Sequence, residues 1–160
     1  MQGERVLGAI PVQWKKGFLN LQPWTIVVTS ARLIFARFTQ EMQRNVARDQ
    51  AQQAGGNWLK QMAAAATSGF TYHQRYFQMD PEVILQEWQE NWWVDARGVS
   101  RAVLTQGRWT HRNEVRTQND HELVIVTTQG KFAYSINPTL AAGEQANLLS
   151  QVLGGTLTFR

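Results

Sequence analysis

The sequence predicts an α+β domain with antiparallel strands toward both ends of the chain and helices in the middle, on three observations. Trp24–Phe38 reads as two strands pinched at Ser30-Ala31, the first rich in β-branched residues and the second alternating. Glu122–Thr128 and Lys131–Ile136 form a second hairpin around Gln129-Gly130, where Gly supplies a turn residue. Near the end, Leu148, Leu149, Val152 and Leu153 fall on one helical face. A chain of 160 residues, 43% hydrophobic with seven Trp and seven Phe, can build one well-filled core, so a single domain spanning 1–160 is expected.

Taken in order, Arg5–Trp14 reads as a first strand ended by a Lys15-Lys16-Gly17 turn, and Phe18–Leu21 as a short extended piece before Pro23. After the hairpin the composition changes. Residues 39–54 are rich in strong helix formers, with Thr39 a candidate N-cap and Met42, Val46 and Ala47 a narrow apolar stripe. Gly55-Gly56 breaks this helix. Asn57 can cap a second one, whose Trp58, Leu59, Met62, Ala63 and Ala66 share a face, and Gly69 ends it. Asp80-Pro81-Glu82 supplies an N-cap, Pro at N1 and an acid in the first turn, opening a third helix over 83–88. Residues 39–90 therefore form a helical insertion between the early and late strands. Strands resume at Trp92–Asp95 and Val99–Leu104 around Ala-Arg-Gly, and a turn-rich stretch follows Gly107. Asn137-Pro138 starts the final helix, which Gly154-Gly155 closes.

The net charge of +4 is unevenly spread. Residues 1–38 carry five Lys/Arg against one acid, residues 91–160 seven against five, and residues 39–90 four against six. The basic character belongs to the strands, and its density falls short of a nucleic-acid footprint. The absence of Cys removes disulfides, thiol nucleophiles and cysteine metal sites. No cationic segment followed by an apolar core marks a signal peptide at the N-terminus, and no apolar run approaches the ~18 residues of a membrane span. A cytoplasmic location is expected, with the inner face of the membrane as a variant of it.

Thr29-Ser-Ala-Arg-Leu-Ile-Phe-Ala36 resembles the T-x-x-R-L-I-F hairpin of bacterial pleckstrin-homology-like and GRAM-like domains. The 79–104 stretch is similar to a pattern in uncharacterised bacterial proteins of that fold, with Pro81-Glu82, Ile84-Leu85, Asn91, Val94 and Val99 at matching positions. It departs from the pattern at Trp92 and Trp93, where smaller residues are usual, and at Ala-Arg-Gly. The resemblance implies a pleckstrin-homology-like bent antiparallel sheet, or split barrel, with a C-terminal capping helix. It also implies a small binding scaffold. Classical members grip inositol phosphates with Lys and Arg on the first strands and their loop; here Lys15 and Lys16 stand at that turn, but the basic-x-Arg that should follow is missing.

Few residues carry chemistry. His73, His111 and His121 share no metal-ligand spacing, and helix capping with a solvated face accounts for Asp80, Glu82, Glu87 and Glu90. No nucleophile elbow, phosphate loop or dinucleotide fingerprint occurs. The expectation is a module without catalysis, cofactor or metal, binding a protein partner or itself through the helical insertion. The contact candidates are Trp58, Leu59, Met62, Trp92 and Trp93; adjacent Trp92 and Trp93 point to opposite sides of a strand, so one can lie outside. The alternative is peripheral binding to anionic lipid. The anion-binding candidates are Lys15 and Lys16 for lipid, and Arg108, Arg112 and Arg116, beside His111, for phosphate or an acidic partner.

Overall fold

A computed structural model describes residues 3–17, 19–42, 44 and 73–160. Strands β1 (Val6–Gly17), β2 (Asn20–Thr29) and β3 (Arg32–Arg37) come first. After a 3-10 turn (His73–Gln78) and α1 (Pro81–Gln86) follow β4 (Trp92–Asp95) and β5 (Val99–Thr105), then the hairpin β6 (Trp109–Arg112) and β7 (Val115–Gln118). The chain ends with β8 (His121–Thr127), β9 (Gly130–Ile136), α2 (Ala142–Leu153) and β10 (Leu157–Phe159). Among the described residues eight strands form one sheet in the order β10-β5-β8-β9-β1-β2-β3-β4, antiparallel except for β10 on β5, and β6 and β7 pair only with each other.

The sheet curls without closing. Three strands separate β4 from β9, which in a flat sheet would put them roughly 19 Å apart. Yet the Trp92 and Phe132 rings lie 4.8 Å apart, Trp92 stacks on Phe35 at 4.1 Å, and Phe35 stacks on Tyr134 at 5.7 Å. Inside the curl, Ile10, Ile26, Leu33, Leu104, Leu123 and Ile125 are fully buried, and α2 covers them with Ala146, Leu149 and Leu153. Leu148 and Val152 join from the margin of the helix face, each buried aliphatic being worth about 1.5–3 kcal/mol. The helix approaches β1 at Gly8, where an added Cβ would stand 2.6 Å from Leu148 Cδ2.

A second cluster lies on the other face of β1–β3, where Tyr76 and Ile84 pack on Ala9, Val27, Ile34 and Ala36. This explains why Ile26-Val-Val28 and Leu33-Ile-Phe-Ala36 are unbroken apolar runs: both strands are covered on both faces. The described part of the 39–90 insertion is thus a structural cover. Thr39 accepts a hydrogen bond from Met42 N–H at 3.2 Å, and Asp80 accepts one from Glu82 N–H at 2.8 Å, the two capping contacts the residue types called for.

Several boundaries differ from expectation. β1 runs through Lys15, Lys16 and Gly17, and the turn falls later, with Leu19 at φ 65° and almost fully exposed. Pro23 sits inside β2, opposite Gln13. The final helix starts at Ala142, later than Pro138, because Asn137 accepts from Thr139 N–H in a local turn. The stretch after Gly107 is a hairpin, with Asn113 (φ 50°) and Glu114 (φ 64°) in its left-handed turn. Among the described residues no helix is long and apolar enough to cross a membrane.

Candidate functional site: an open strand edge

Among the described residues β4 ends the sheet, so one of its sides has no neighbouring strand there. The ladder shows which peptide groups face outward. Ala96 N–H donates to Ala31 C=O at 3.3 Å, making 31/96 a hydrogen-bonded pair. In an antiparallel ladder such pairs alternate, so Val94 opposite Leu33 and Trp92 opposite Phe35 also turn their backbone toward β3. Trp93 and Asp95 turn theirs outward. The side-chain amide of Gln129 confirms the direction, donating to Trp93 C=O at 3.4 Å from the β8–β9 turn.

A groove of about 510 Å³ runs along this edge, with residues 91–95 as one wall and Gly98, Thr128 and Gln129 as the other. Two local devices hold the walls. Gly98 lets its turn come close: a Cβ there would stand 2.8 Å from Val94 Cγ2, and Gly98 C=O accepts from Thr128 N–H at 3.0 Å. Asn91 continues the β3–β4 ladder with its side chain, accepting from Arg37 N–H at 2.8 Å and donating to Ile84 C=O at 2.8 Å. That single amide ties the end of α1 to the strand.

Trp92 and Trp93 part company at the edge. Trp92 turns inward onto Phe35 and Phe132. Trp93 turns outward, is 44% exposed, and lies under the Arg32 guanidinium at 4.8 Å. Arg32 itself is buried and bonded to Glu4 at 2.8 Å and to Glu82. Burial pulls its pKa down, but the hydrogen bonds to the two carboxylates outweigh this and hold it above its ordinary value.

The anion-binding candidates do not converge. Lys15 and Lys16 are strand neighbours and leave β1 on opposite faces. Lys15 pairs with Glu122 at 3.3 Å, and Lys16 lies over the Trp14 ring at 5.4 Å. Arg112 and Arg116 belong to the exposed β6–β7 ribbon, and Arg108 stands just before it. Arg116 stacks over Trp109 at 4.3 Å on one face, while Arg112, opposite Val115, faces the other way. Trp58, Leu59 and Met62 lie outside the described residues.

Four acids of the insertion have structural partners. Asp80 caps α1, Glu82 meets Arg32, Glu87 takes Arg75 through both oxygens, and Glu90 lies 3.6 Å from Arg37. His121 is 2% exposed with both ring nitrogens engaged: Nδ1 accepts from Gly107 N–H at 2.9 Å, so Nε2 donates to Leu140 C=O at 2.8 Å. Among the described residues no group of three His, Asp or Glu side chains converges on a metal position.

Alternation of Trp92 and Trp93 was visible in the sequence, but the open edge was not. Which strand lacks a neighbour depends on how distant strands order themselves, and Gln129 and Gly98 reach the groove only through that order. No protein-family model, curated protein or solved structure matches this chain.

Proposed function

We propose that the chain is a non-catalytic interaction module that captures an extended segment of a partner protein as an added strand on β4. The observation that carries this reading is the outward Trp93 peptide group facing a walled groove. Strand addition needs unpaired backbone groups for affinity and a neighbouring surface for side-chain selection, and the groove has both. Gln129 acts as a placeholder, a long hydrogen bond covering a carbonyl that a bound strand would take. Because the second wall stands across the groove, a lone strand enters more readily than the edge of another folded domain. The curled sheet with its C-terminal helix supports the pleckstrin-homology-like assignment. The lipid alternative has less local support, since Lys15 and Lys16 are engaged separately.

The test separates backbone from side chain. Random peptides displayed on phage are panned on the protein, and selected peptides are measured by fluorescence anisotropy against Trp93→Thr and Trp93→Pro. Relative to Trp93→Thr, proline at 93 removes only an outward N–H, which an edge strand tolerates. Binding should survive Trp93→Thr to within several-fold and fall at least about tenfold in Trp93→Pro. Peptides that bind Trp93→Pro equally well, or a library from which nothing is enriched, would refute strand addition.

A further inference from the structure

The sheet has a second unfinished surface, away from the groove. An antiparallel sheet with one face on the core carries polar residues on the other. Across β5, β8 and β9 the outward positions Arg101, Thr105, Glu122 and Lys131 follow this rule, but Val103, Val124, Val126 and Ala133 between them do not, with Val103 opposite Val124 and Val124 opposite Ala133. These last four are half-buried, and the valines floor a depression of about 260 Å³. In sequence this is the run Leu123-Val-Ile-Val126, the same two-sided pattern as 26–28 and 33–36. Those runs are covered on their outer face by Tyr76 and Ile84; this one has no such cover among the described residues.

The rim is cationic. Arg101, Lys131 and Arg160 surround the valines, and none has an ion-pair partner among the described residues. Glu122 at the margin is already paired with Lys15. Arg101 and Lys131 both stand opposite Val126, one on each flanking strand, so two strand spacings, about 10 Å, separate their backbones. That is the width of an α-helix with its side chains, about 10–12 Å.

We propose that this face docks an amphipathic helix of a partner protein, laid along β8 with its apolar side on the valines and acidic residues on both flanks. A helix is the layer that an apolar sheet face accepts. Strand addition is not open here, because β5, β8 and β9 each have neighbours on both sides. Residues 45–72 of the chain itself carry two cations and one acid and cannot supply the complementary charge.

The probe is a short synthetic helix with leucines at 3-4 spacing and glutamates on both flanks, with a matched peptide in which lysine replaces glutamate. Titration of ¹⁵N-labelled protein with the acidic peptide should shift the amide signals of Val103, Val124 and Val126 and leave those of Trp93 and Asp95 in place. The lysine peptide should bind at least about tenfold more weakly, and so should the acidic peptide to an Arg101→Glu/Lys131→Glu variant. Both substituted residues are exposed, and an otherwise unchanged spectrum verifies the fold. Equal binding of the two peptides, shifts confined to other faces, or no shift at millimolar peptide would overturn the proposal. Tighter binding to phosphatidylserine vesicles than to the peptide, lost in the same variant, would overturn it too and assign the face to lipid.

Discussion

Arg32 is a cation held inside the fold by carboxylates from two directions, Glu4 before β1 and Glu82 on α1, with Trp93 against its flat face. One planar side chain joins three segments far apart in sequence, and a lysine cannot reproduce the fork. Replacing Arg32 by Met should cost about 1–3 kcal/mol, most of it through Glu4, since Glu82 is largely solvated. Urea unfolding measures this, and Arg32→Lys should recover less than half. Because the folded-state pKa lies above an already high ordinary value, the stabilisation is complete across the whole range below that ordinary value and is lost only at more alkaline pH. Tyr134 behaves differently within reach of experiment. Burial pushes its phenol pKa far above the usual 10, so its contribution is complete below about pH 10 and declines as pH rises further. Between pH 10 and 11.5 the wild type should lose up to about 1.4 kcal/mol per pH unit more than Tyr134→Phe. Equal slopes for the two would show that the phenol ionises freely in the folded protein.

At the scale of elements, the β6–β7 ribbon and its base make opposite demands. Among the described residues the ribbon strands pair only with each other and are exposed nearly throughout. Replacing residues 109–118 by a short Gly-Ser turn should shift the unfolding free energy by less than about 1 kcal/mol. The base is tight: a Cβ at Gly107 would overlap Asn119 C=O at 1.8 Å, and His121 binds Gly107 and Leu140 together. His121→Ala should therefore cost about 2–4 kcal/mol, by leaving a backbone donor and acceptor without partners. A smaller loss than that from removing the ribbon would show the assignment to be reversed. This contrast also explains what the sequence discloses. The hairpins at 29–36 and 123–136 announce themselves because apolar residues mark their buried faces. The 109–118 ribbon has no buried face to mark, so it reads as turns. β10 is three residues long after Gly154-Gly155 and carries no periodicity; it exists because β5 presents an edge. Trp92 and Trp93 disclose a strand with two different faces, but the groove beside them comes from Gln129 and Gly98, brought there by topology.

For the whole molecule, the two-sided apolar strands determine where covering layers must sit. α2 supplies one on the inside and residues 73–86 supply one on the outside of β1–β3. The 73–86 segment should behave as core: Tyr76→Ala should cost about 3–5 kcal/mol, as burial of an aromatic in a packed cluster implies. A near-neutral Tyr76→Ala would mean that the segment is an accessory laid on a finished sheet. Charge follows the same layout, since Glu82 on α1 and Glu90 just after it meet Arg32 and Arg37 of β3, while Arg101 and Lys131 on the far face have no ion-pair partner among the described residues.

β1 lies in the interior of the sheet, between β2 and β9, although it precedes both in the chain. Trp14 waits for Tyr134, so during synthesis the β1–β3 meander leaves the ribosome with one side of its first strand bare. At about 5–20 residues per second, the roughly 100 residues that follow take about 5–20 s to appear. Through that interval the nascent chain displays an apolar, hydrogen-bonding ribbon to every neighbour. Chains halted before residue 130 should therefore associate with one another or with chaperones, while chains extended past residue 136 should not, a difference that force-sensitive arrest sequences placed along the gene would resolve.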